Sequence, residues 1–281
     1  MSGLRVRERW DVAGGRRVRS LEAGHGGETV VLLPGLGAVG YMKDTLAGCA
    51  SWARAFLLDV PGFGHRPPRP CPAEVPAIAA VLGAWLETVP EGPVILAGHS
   101  SGAQAALRAA AAHPERVRAL VLLGPTFPPR QRTLPRLVLP FLRTVVREPP
   151  GVLPATLPYL LRGGPAAVLR CVRTAQADAP EYLIGKISCP VLVVRGARDR
   201  MCPKAWADGL AITAPAGRSV TAPGAHTFPL QHGGMTATLI AEAARAAGPY
   251  APIQPSSCRP EPPAIVLPSS SPAPRSTSPG V

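Results

Sequence analysis

Closely spaced pairs of cysteines or histidines, the spacing that metal-binding motifs require, are missing from the sequence. Six cysteines are spread along the chain without short paired spacing, at positions 49, 71, 171, 189, 202 and 258. The first twenty residues are charged where a secretory signal peptide would need an apolar stretch. We therefore expect no metal site, no disulfide framework, and a cytoplasmic protein whose thiols are reduced.

Long apolar runs and lysines are scarce as well. Gly, Pro, Ser or His interrupts each apolar stretch before the roughly 18 residues that a membrane-spanning helix needs, so we expect a soluble protein without a membrane span. The net charge of +13 comes from dispersed arginines with only three lysines. Because no basic run alternates with aromatic residues, nucleic-acid binding is not predicted.

What the sequence does contain is a regular alternation of apolar runs and helix-length stretches, in a chain of 281 residues that can close a substantial core. Polar and apolar residues alternate on both sides of Gly14-Gly15, which predicts an opening hairpin within residues 4–23. Short apolar runs typical of parallel strands buried on both faces follow at 29–33, 55–58, 94–97, 117–123 and 191–195. The sequence therefore predicts an α/β fold with a doubly wound, mostly parallel sheet.

Two segments depart from this alternation. Residues 127–187 are rich in Leu, Arg and Pro, with helical spacing over 134–146 and 166–175, and we expect a helical cap inserted after the sixth strand. Pro and Ser dominate the end of the chain, where we expect disorder. The predicted organisation is a core in two parts, 1–126 and 188–247, a cap at 127–187 and a disordered tail at 248–281.

A Gly-x-Ser-x-Gly sequence, Gly98-His99-Ser100-Ser101-Gly102, follows the strand predicted at 94–97 and opens a helix predicted from Ser101. This pattern is typical of a nucleophile elbow, a sharp turn that strains the serine backbone and presents the hydroxyl above the sheet. The turn also lies at a helix N-terminus, which favours a developing oxyanion. We predict that Ser100 is a nucleophile.

These residues resemble the α/β-hydrolase superfamily, and other landmarks follow in the order of that family. Pro34-Gly35-Leu36-Gly37 follows the third strand, and the resemblance implies an oxyanion hole formed by the backbone N–H groups of Leu36 and Ser101. The run from Asp59 to Gly64 matches the family's DxPGxG turn, and the run from His113 to Val117 resembles its link after the elbow helix. The resemblance covers about residues 4–247 and implies a sheet of eight strands.

A serine hydroxyl needs a base that takes its proton and an acid that orients the base. In the family order the acid follows the serine and precedes the histidine. The turn that begins at Gly196 resembles the family's GxxDxxxP acid turn, which makes Asp199 the predicted acid. His226 ends the sequence Pro-Gly-Ala-His after the last apolar strand and is the predicted base, with His232 as its nearest competitor.

The leading hypothesis is a hydrolase that cleaves carboxylic esters or lactones of small to medium apolar substrates through an acyl-enzyme. No cofactor is predicted, because the glycine turn after the third strand lacks the remaining residues of a dinucleotide fingerprint. We expect four residues to border a small-molecule substrate, with the histidine among them lining or supporting the site: Gly35, His99, Phe127 and Phe228.

The cap leaves several alternatives open. Its leucines can line an acyl pocket or pack the cap onto the core, and its arginines can bind a substrate carboxylate or form a solvated helix face. Other reactions of this superfamily also fit, namely carbon–carbon bond hydrolysis, thioester or amide cleavage and a specialised biosynthetic step. A ligand-binding receptor without turnover is a further alternative, and the oligomeric state is not predicted.

Overall fold

The computed structural model describes residues 5–63 and 69–248. In this part of the chain the strands are β1 (Arg7–Ala13), β2 (Arg16–Ala23), β3 (Glu28–Leu33), β4 (Ala53–Leu58), β5 (Val94–His99), β6 (Val117–Leu123), β7 (Val191–Gly196) and β8 (Gly217–Ala222). They form one sheet in the order β1-β2-β4-β3-β5-β6-β7-β8. β1 and β2 form the predicted hairpin, β2 runs antiparallel to β4, and the remaining neighbours are parallel. The predicted eight-stranded, mostly parallel sheet is confirmed.

The helices flank this sheet on both faces. They are α1 (Lys43–Cys49), α2 (Val75–Thr88), α3 (Ser101–Ala112), α4 (Leu134–Val145), α5 (Val152–Gly163), α6 (Pro165–Ala177), α7 (Pro180–Leu183), α8 (Lys204–Thr213), α9 (Phe228–Gln231) and α10 (Gly233–Ala246). The segment between β6 and β7, residues 127–187, carries α4 to α7 and is called the cap region below. The apolar spacing predicts α4 and α6 but not α5, and both α4 and α5 contain an interior proline, Pro140 and Pro158.

The central strands are apolar at every position because both of their faces are covered. Val31 and Leu33 of β3 belong to the cluster that α2, α3 and α8 cover, whereas Val30 and Leu32 belong to the cluster under α1 and α10. All four side chains are 0% exposed. The period of two along a strand therefore divides the core into two layers, as a doubly wound sheet requires.

The strand order brings distant turns together at one edge of the sheet. From β3 the chain continues to β4 on one side and then crosses to β5 on the other side, so β3 and β5 are neighbours where the winding direction changes. Ligands of open α/β sheets bind outside the carboxyl ends of the strands at such a switch point. The turns that follow β3, β5, β7 and β8 all lie at this edge.

Some predictions fall partly or wholly outside the described residues. The tail beyond residue 248, the Gly64 end of the DxPGxG turn and Cys258 belong to this group. The other five cysteines lie within the described residues and are free thiols. None of the helices in 5–63 and 69–248 combines the length and the apolar character that a bilayer crossing demands.

The buried sheet predicts a large effect for a core truncation. Leu57 of β4 is 0% exposed, whereas Ile212 of α8 is 84% exposed. We expect Leu57→Ala to lower the free energy of unfolding by about 2–5 kcal/mol, because it removes buried methyl groups and leaves a cavity. The control Ile212→Ala should stay within about 0.5 kcal/mol of the wild type. Urea titration followed by circular dichroism measures both, and equal losses would contradict the assignment of Leu57 to the core.

Candidate active site

Ser100 lies in a strained turn between β5 and α3. Its backbone has φ 57° and ψ −124°, a conformation rare for a residue with a side chain. A Cβ atom at Gly98 would lie 2.3 Å from the carbonyl oxygen of Gly102, and one at Gly102 would lie 2.5 Å from that of Leu33. The glycines on either side of the serine are therefore needed because backbone segments meet there.

The turn after β3 packs directly on this elbow. A Cβ atom at Gly35 would lie 2.9 Å from Cβ of Ser100, so only glycine fits without displacement. Leu36 has φ 48°, and its N–H donates to Oγ of Ser101 at 3.2 Å. The thiol of Cys171, from α6, also hydrogen-bonds to Ser101. The backbone amides of Leu36 and Ser101 thus lie on adjoining turns next to the serine.

Asp199 and His226 form a buried pair on the turns after β7 and β8. His226 Nδ1 lies 2.7 Å from Oδ2 of Asp199. The other oxygen of that carboxylate accepts from the N–H groups of Met201 at 2.8 Å and Cys202 at 3.1 Å. The Asp199 side chain has no exposed surface, so these donors replace water around the charge.

Burial and pairing act on these two groups in opposite directions. For Asp199, burial raises the pKa, but the charge of His226 and the three hydrogen bonds outweigh it and hold the pKa below its usual range. For His226, burial lowers the pKa, but Asp199 and the carboxylate of Glu148 outweigh it and raise the pKa above its usual range. The pair therefore favours a charged carboxylate beside an imidazole that gains a proton readily.

His99 and Tyr41 connect the turn of Gly35 to the turn of His226. The Gly35 N–H donates to Oη of Tyr41 at 2.6 Å, and this hydroxyl lies 2.8 Å from Nδ1 of His99. Nε2 of His99 lies 2.9 Å from the carbonyl oxygen of His226, which only accepts, so Nε2 carries a proton. Nδ1 of a neutral His99 then accepts from the Tyr41 hydroxyl, and each polar atom of this chain has a partner.

Electrostatics keep this connection uncharged. Burial, with His226 nearby, lowers the pKa of His99 to about 3, and burial raises the pKa of Tyr41 above its usual range. Both residues are at most 3% exposed. The two side chains therefore hold one protonation state at neutral pH and act as a fixed brace between the two turns.

The cap region reaches the histidine turn through Glu148. This carboxylate accepts from the Thr227 N–H at 2.9 Å and also from the Thr227 hydroxyl. Neither Glu148 nor Tyr41 is predicted from the sequence, because no motif marks them: Tyr41 lies 58 positions from His99, and Glu148 lies 79 from Thr227. Their contacts form only when the chain is folded.

The structure brings most of the predicted site residues to this one edge. Both ring nitrogens of His99 form hydrogen bonds within the protein. Of the two predicted roles, lining the site or supporting it, this arrangement favours support. Phe228 is 1% exposed and packs edge-on to His99, with ring centroids 6.3 Å apart, and Phe127 is 6% exposed. Substrate contacts of these residues stay predictions. The competitor His232 lies between α9 and α10, where its carbonyl accepts from the Thr236 N–H.

Comparisons with known proteins agree with this architecture. Residues 28–162 match the model of the family described as "alpha/beta hydrolase fold". A pimeloyl-[acyl-carrier protein] methyl ester esterase of Neisseria meningitidis is 29% identical over 201 residues, which cover 62% of this chain and 76% of the relative. A 2-hydroxy-6-oxononadienedioate/2-hydroxy-6-oxononatrienedioate hydrolase of Burkholderia vietnamiensis is 35% identical over 114 residues, 38% of this chain and 40% of the relative.

A solved structure shows the same fold. A thermophilic esterase from Thermogutta terrifontis superimposes with a TM-score of 0.70 at 20% identity, over 86% of this chain and 99% of that one. The sheet order, the elbow after β5 and the turns at its carboxyl edge define a protein of the α/β-hydrolase fold. The chain has this fold and matches the family model over residues 28–162, and the names of its relatives support hydrolase activity.

The brace between the two turns predicts a cost for removing one hydroxyl. Tyr41→Phe leaves the buried Gly35 N–H without its acceptor and His99 Nδ1 without its donor. We expect the free energy of unfolding to fall by about 1–3 kcal/mol, since a buried polar group loses its partner. Tyr182→Phe, at a residue 78% exposed, is the control and should be nearly neutral. Urea unfolding measures both, and a neutral Tyr41→Phe would contradict the brace.

Proposed function

We propose that this protein is a serine hydrolase of carboxylic esters or lactones that works through an acyl-enzyme. Ser100 is the nucleophile, His226 is the base, and Asp199 orients the base. The observation that carries the proposal is the buried pair of His226 and Asp199, 2.7 Å apart, on turns that adjoin the strained serine elbow. The His226 carbonyl also accepts a hydrogen bond from His99, which precedes Ser100 in the chain. This contact supports the proximity of the base and the nucleophile.

The geometry supports one distribution of protons. Nδ1 of His226 is hydrogen-bonded to Asp199, so Nε2 is the nitrogen that takes the serine proton. The serine oxygen then forms a bond to the substrate carbonyl carbon, and the carbonyl electrons move onto its oxygen. When this intermediate collapses, the bond to the leaving alcohol breaks and the alcohol takes the proton from Nε2. A water molecule then attacks the carbonyl carbon of the acyl-enzyme while His226 takes its proton. When this second intermediate collapses, the bond to Ser100 breaks, the serine oxygen takes the proton from Nε2, and the carboxylic acid is released.

The backbone amides of Leu36 and Ser101 are proposed as the oxyanion hole. Both belong to turns that adjoin Ser100, and Ser101 begins α3, where the helix dipole favours negative charge. The Leu36 N–H donates to the Ser101 hydroxyl over 3.2 Å, a long contact. A developing oxyanion carries more negative charge than a neutral hydroxyl oxygen and would therefore compete with it for this N–H.

An uncharged, largely apolar acyl group fits the cap region best. Several apolar side chains of α4 and α5 are exposed, and we propose that some of them contact the acyl group: Leu134, Phe141, Leu142, Val145, Leu153 and Leu157. Arg132, which sequence reasoning considered as a carboxylate ligand, is paired with Glu181 at 2.6 Å. The cap charge on the histidine turn is the carboxylate of Glu148, which would repel an anionic substrate at that point.

The first experiment tests the nucleophile. p-Nitrophenyl esters from acetate to octanoate should be hydrolysed by the wild type, and Ser100→Ala should lower kcat on the order of 10⁴-fold or more. Ser51→Ala, at an exposed serine, is the matched control and should retain full activity. A fluorophosphonate should label the wild type and Ser51→Ala but not Ser100→Ala. Labelling that survives Ser100→Ala would contradict the assignment, and absence of labelling and turnover would favour a ligand-binding receptor.

A second experiment tests whether the acyl group of the substrate is uncharged or carries a carboxylate. The name of the Burkholderia relative denotes a dicarboxylate substrate for that protein. p-Nitrophenyl hexanoate and the monoester of p-nitrophenol with adipic acid have similar lengths but differ by one negative charge. We expect kcat/KM to be at least about tenfold higher for the uncharged ester, because the cap places a carboxylate near the base. A preference for the anionic ester would contradict the assignment of an uncharged acyl group and point to a dicarboxylate substrate.

A further inference from the structure

The loop between α4 and α5 holds a carboxylate over the turn of the proposed base. The Glu148 N–H donates to the Val145 carbonyl at 3.0 Å, which ties the residue to the end of α4. Pro149 and Pro150 follow, and their fixed φ angles stiffen the loop. Glu148 is thus held on an ordered support rather than on a free chain.

Both oxygens of this carboxylate accept hydrogen bonds from one residue, Thr227, which follows His226 in the chain. Oε1 accepts from the Thr227 N–H at 2.9 Å, and Oε2 accepts from the Thr227 hydroxyl. A hydrogen bond with one charged partner is roughly twice as strong as a neutral one. The contact therefore fixes the backbone immediately after the imidazole as well as the Thr227 side chain.

The same end of α4 also binds the acid turn. Thr144 is 1% exposed, and its Oγ1 accepts from the N–H of Arg200, the neighbour of Asp199, at 3.0 Å. One segment of the cap region, residues 144–148, thereby contacts both turns that carry the buried pair. A displacement of this segment would disturb the acid and the base together.

The charges around His226 come from several elements. Asp199 lies on the turn after β7 and Glu148 on the cap loop, while His99 at the end of β5 is neutral. Arg195 of β7 lies behind Asp199, with its guanidinium donating to the Asp199 carbonyl at 3.2 Å. Two carboxylates thus favour the protonated imidazole that forms during acyl transfer, and one of them belongs to the cap region.

We propose that Glu148 is a positioning residue for the base, which holds the His226 turn through Thr227 and makes the cap region a part of the proton-transfer machinery. The inference rests on the proposed function, in which His226 takes the proton of Ser100. The cap region then does more than border a substrate, because its contact with Thr227 sets the place and the basicity of the imidazole.

The test is Glu148→Gln, which keeps an acceptor for the Thr227 N–H but removes the charge. The neutral imidazole is the active base, so activity rises as the pH passes the pKa of His226. Without Glu148 that pKa should fall, and the acidic limb of kcat/KM should move to lower pH. We expect kcat on the plateau to fall about tenfold with KM little changed, because the imidazolium of the transition state loses a nearby negative charge and the His226 turn loses its charge-assisted hydrogen bonds.

Glu181→Gln is the matched control, because it neutralises a cap carboxylate that pairs with Arg132 and does not contact Thr227. Its acidic limb should stay in place. NMR titration of His226 in protein with labelled histidine measures the same pKa without any turnover. A pKa of His226 that does not change in Glu148→Gln overturns the inference, even where Ser100-dependent hydrolysis supports the proposed function. A lowered pKa without any ester hydrolysis supports the coupling and counts against the proposed function.

Glu148→Asp provides a second variant if Glu148→Gln does not fold. The aspartate keeps the charge but is one methylene shorter, so the two contacts with Thr227 are stretched. We expect kcat to fall several-fold while the acidic limb stays nearer the wild type than in the glutamine variant. Unchanged kcat in Glu148→Asp would overturn the positioning role.

Discussion

The carboxylate of Asp199, which has no contact with water, is the constraint around which the carboxyl edge of the sheet is arranged. A buried charge is costly unless donors replace its hydration. Two backbone N–H groups of its own turn and the imidazole of His226 supply them. Because β7 and β8 are parallel neighbours in register, their following turns meet, and the histidine that completes this set of donors comes from the second turn. The need to satisfy one carboxylate thus fixes the orientation of the imidazole.

The histidine turn is held by two further residues, His99 and Glu148, and Tyr41 holds His99 in turn. His99 at the end of β5 binds the carbonyl of His226, Glu148 of the cap loop binds Thr227, and Tyr41 connects His99 to the turn after β3. Rigid placement of reacting groups is a large part of enzyme catalysis, since small displacements are costly. The arrangement therefore makes the position of the proposed base a joint property of the core and the cap region.

Close backbone contact around the elbow accounts for the glycines there. At Gly35, Gly98 and Gly102 the nearest atom that a Cβ would meet lies within 3 Å, and at the two elbow glycines it is a backbone atom that cannot rotate away. The elbow, the turn after β3 and the start of α3 are pressed together by this packing. The proximity of two backbone amides to Ser100 follows from the same packing.

Local patterns determined much of the architecture. The continuous apolar runs of the buried strands, the Gly-x-Ser-x-Gly turn with the helix from Ser101, and the polar residues after strands at Asp199 and His226 are all readable over a few residues, because strand burial and tight turns constrain neighbouring positions. The helix α5 was not predicted in this way, because Gly163 is its one buried residue and no buried apolar face marks it in the sequence. Tyr41, the supporting role of His99 and the carboxylate of Glu148 became visible only in the tertiary structure. Their partners lie 58, 127 and 79 positions away in the chain, and a hydrogen bond between such distant residues leaves no local pattern in the sequence.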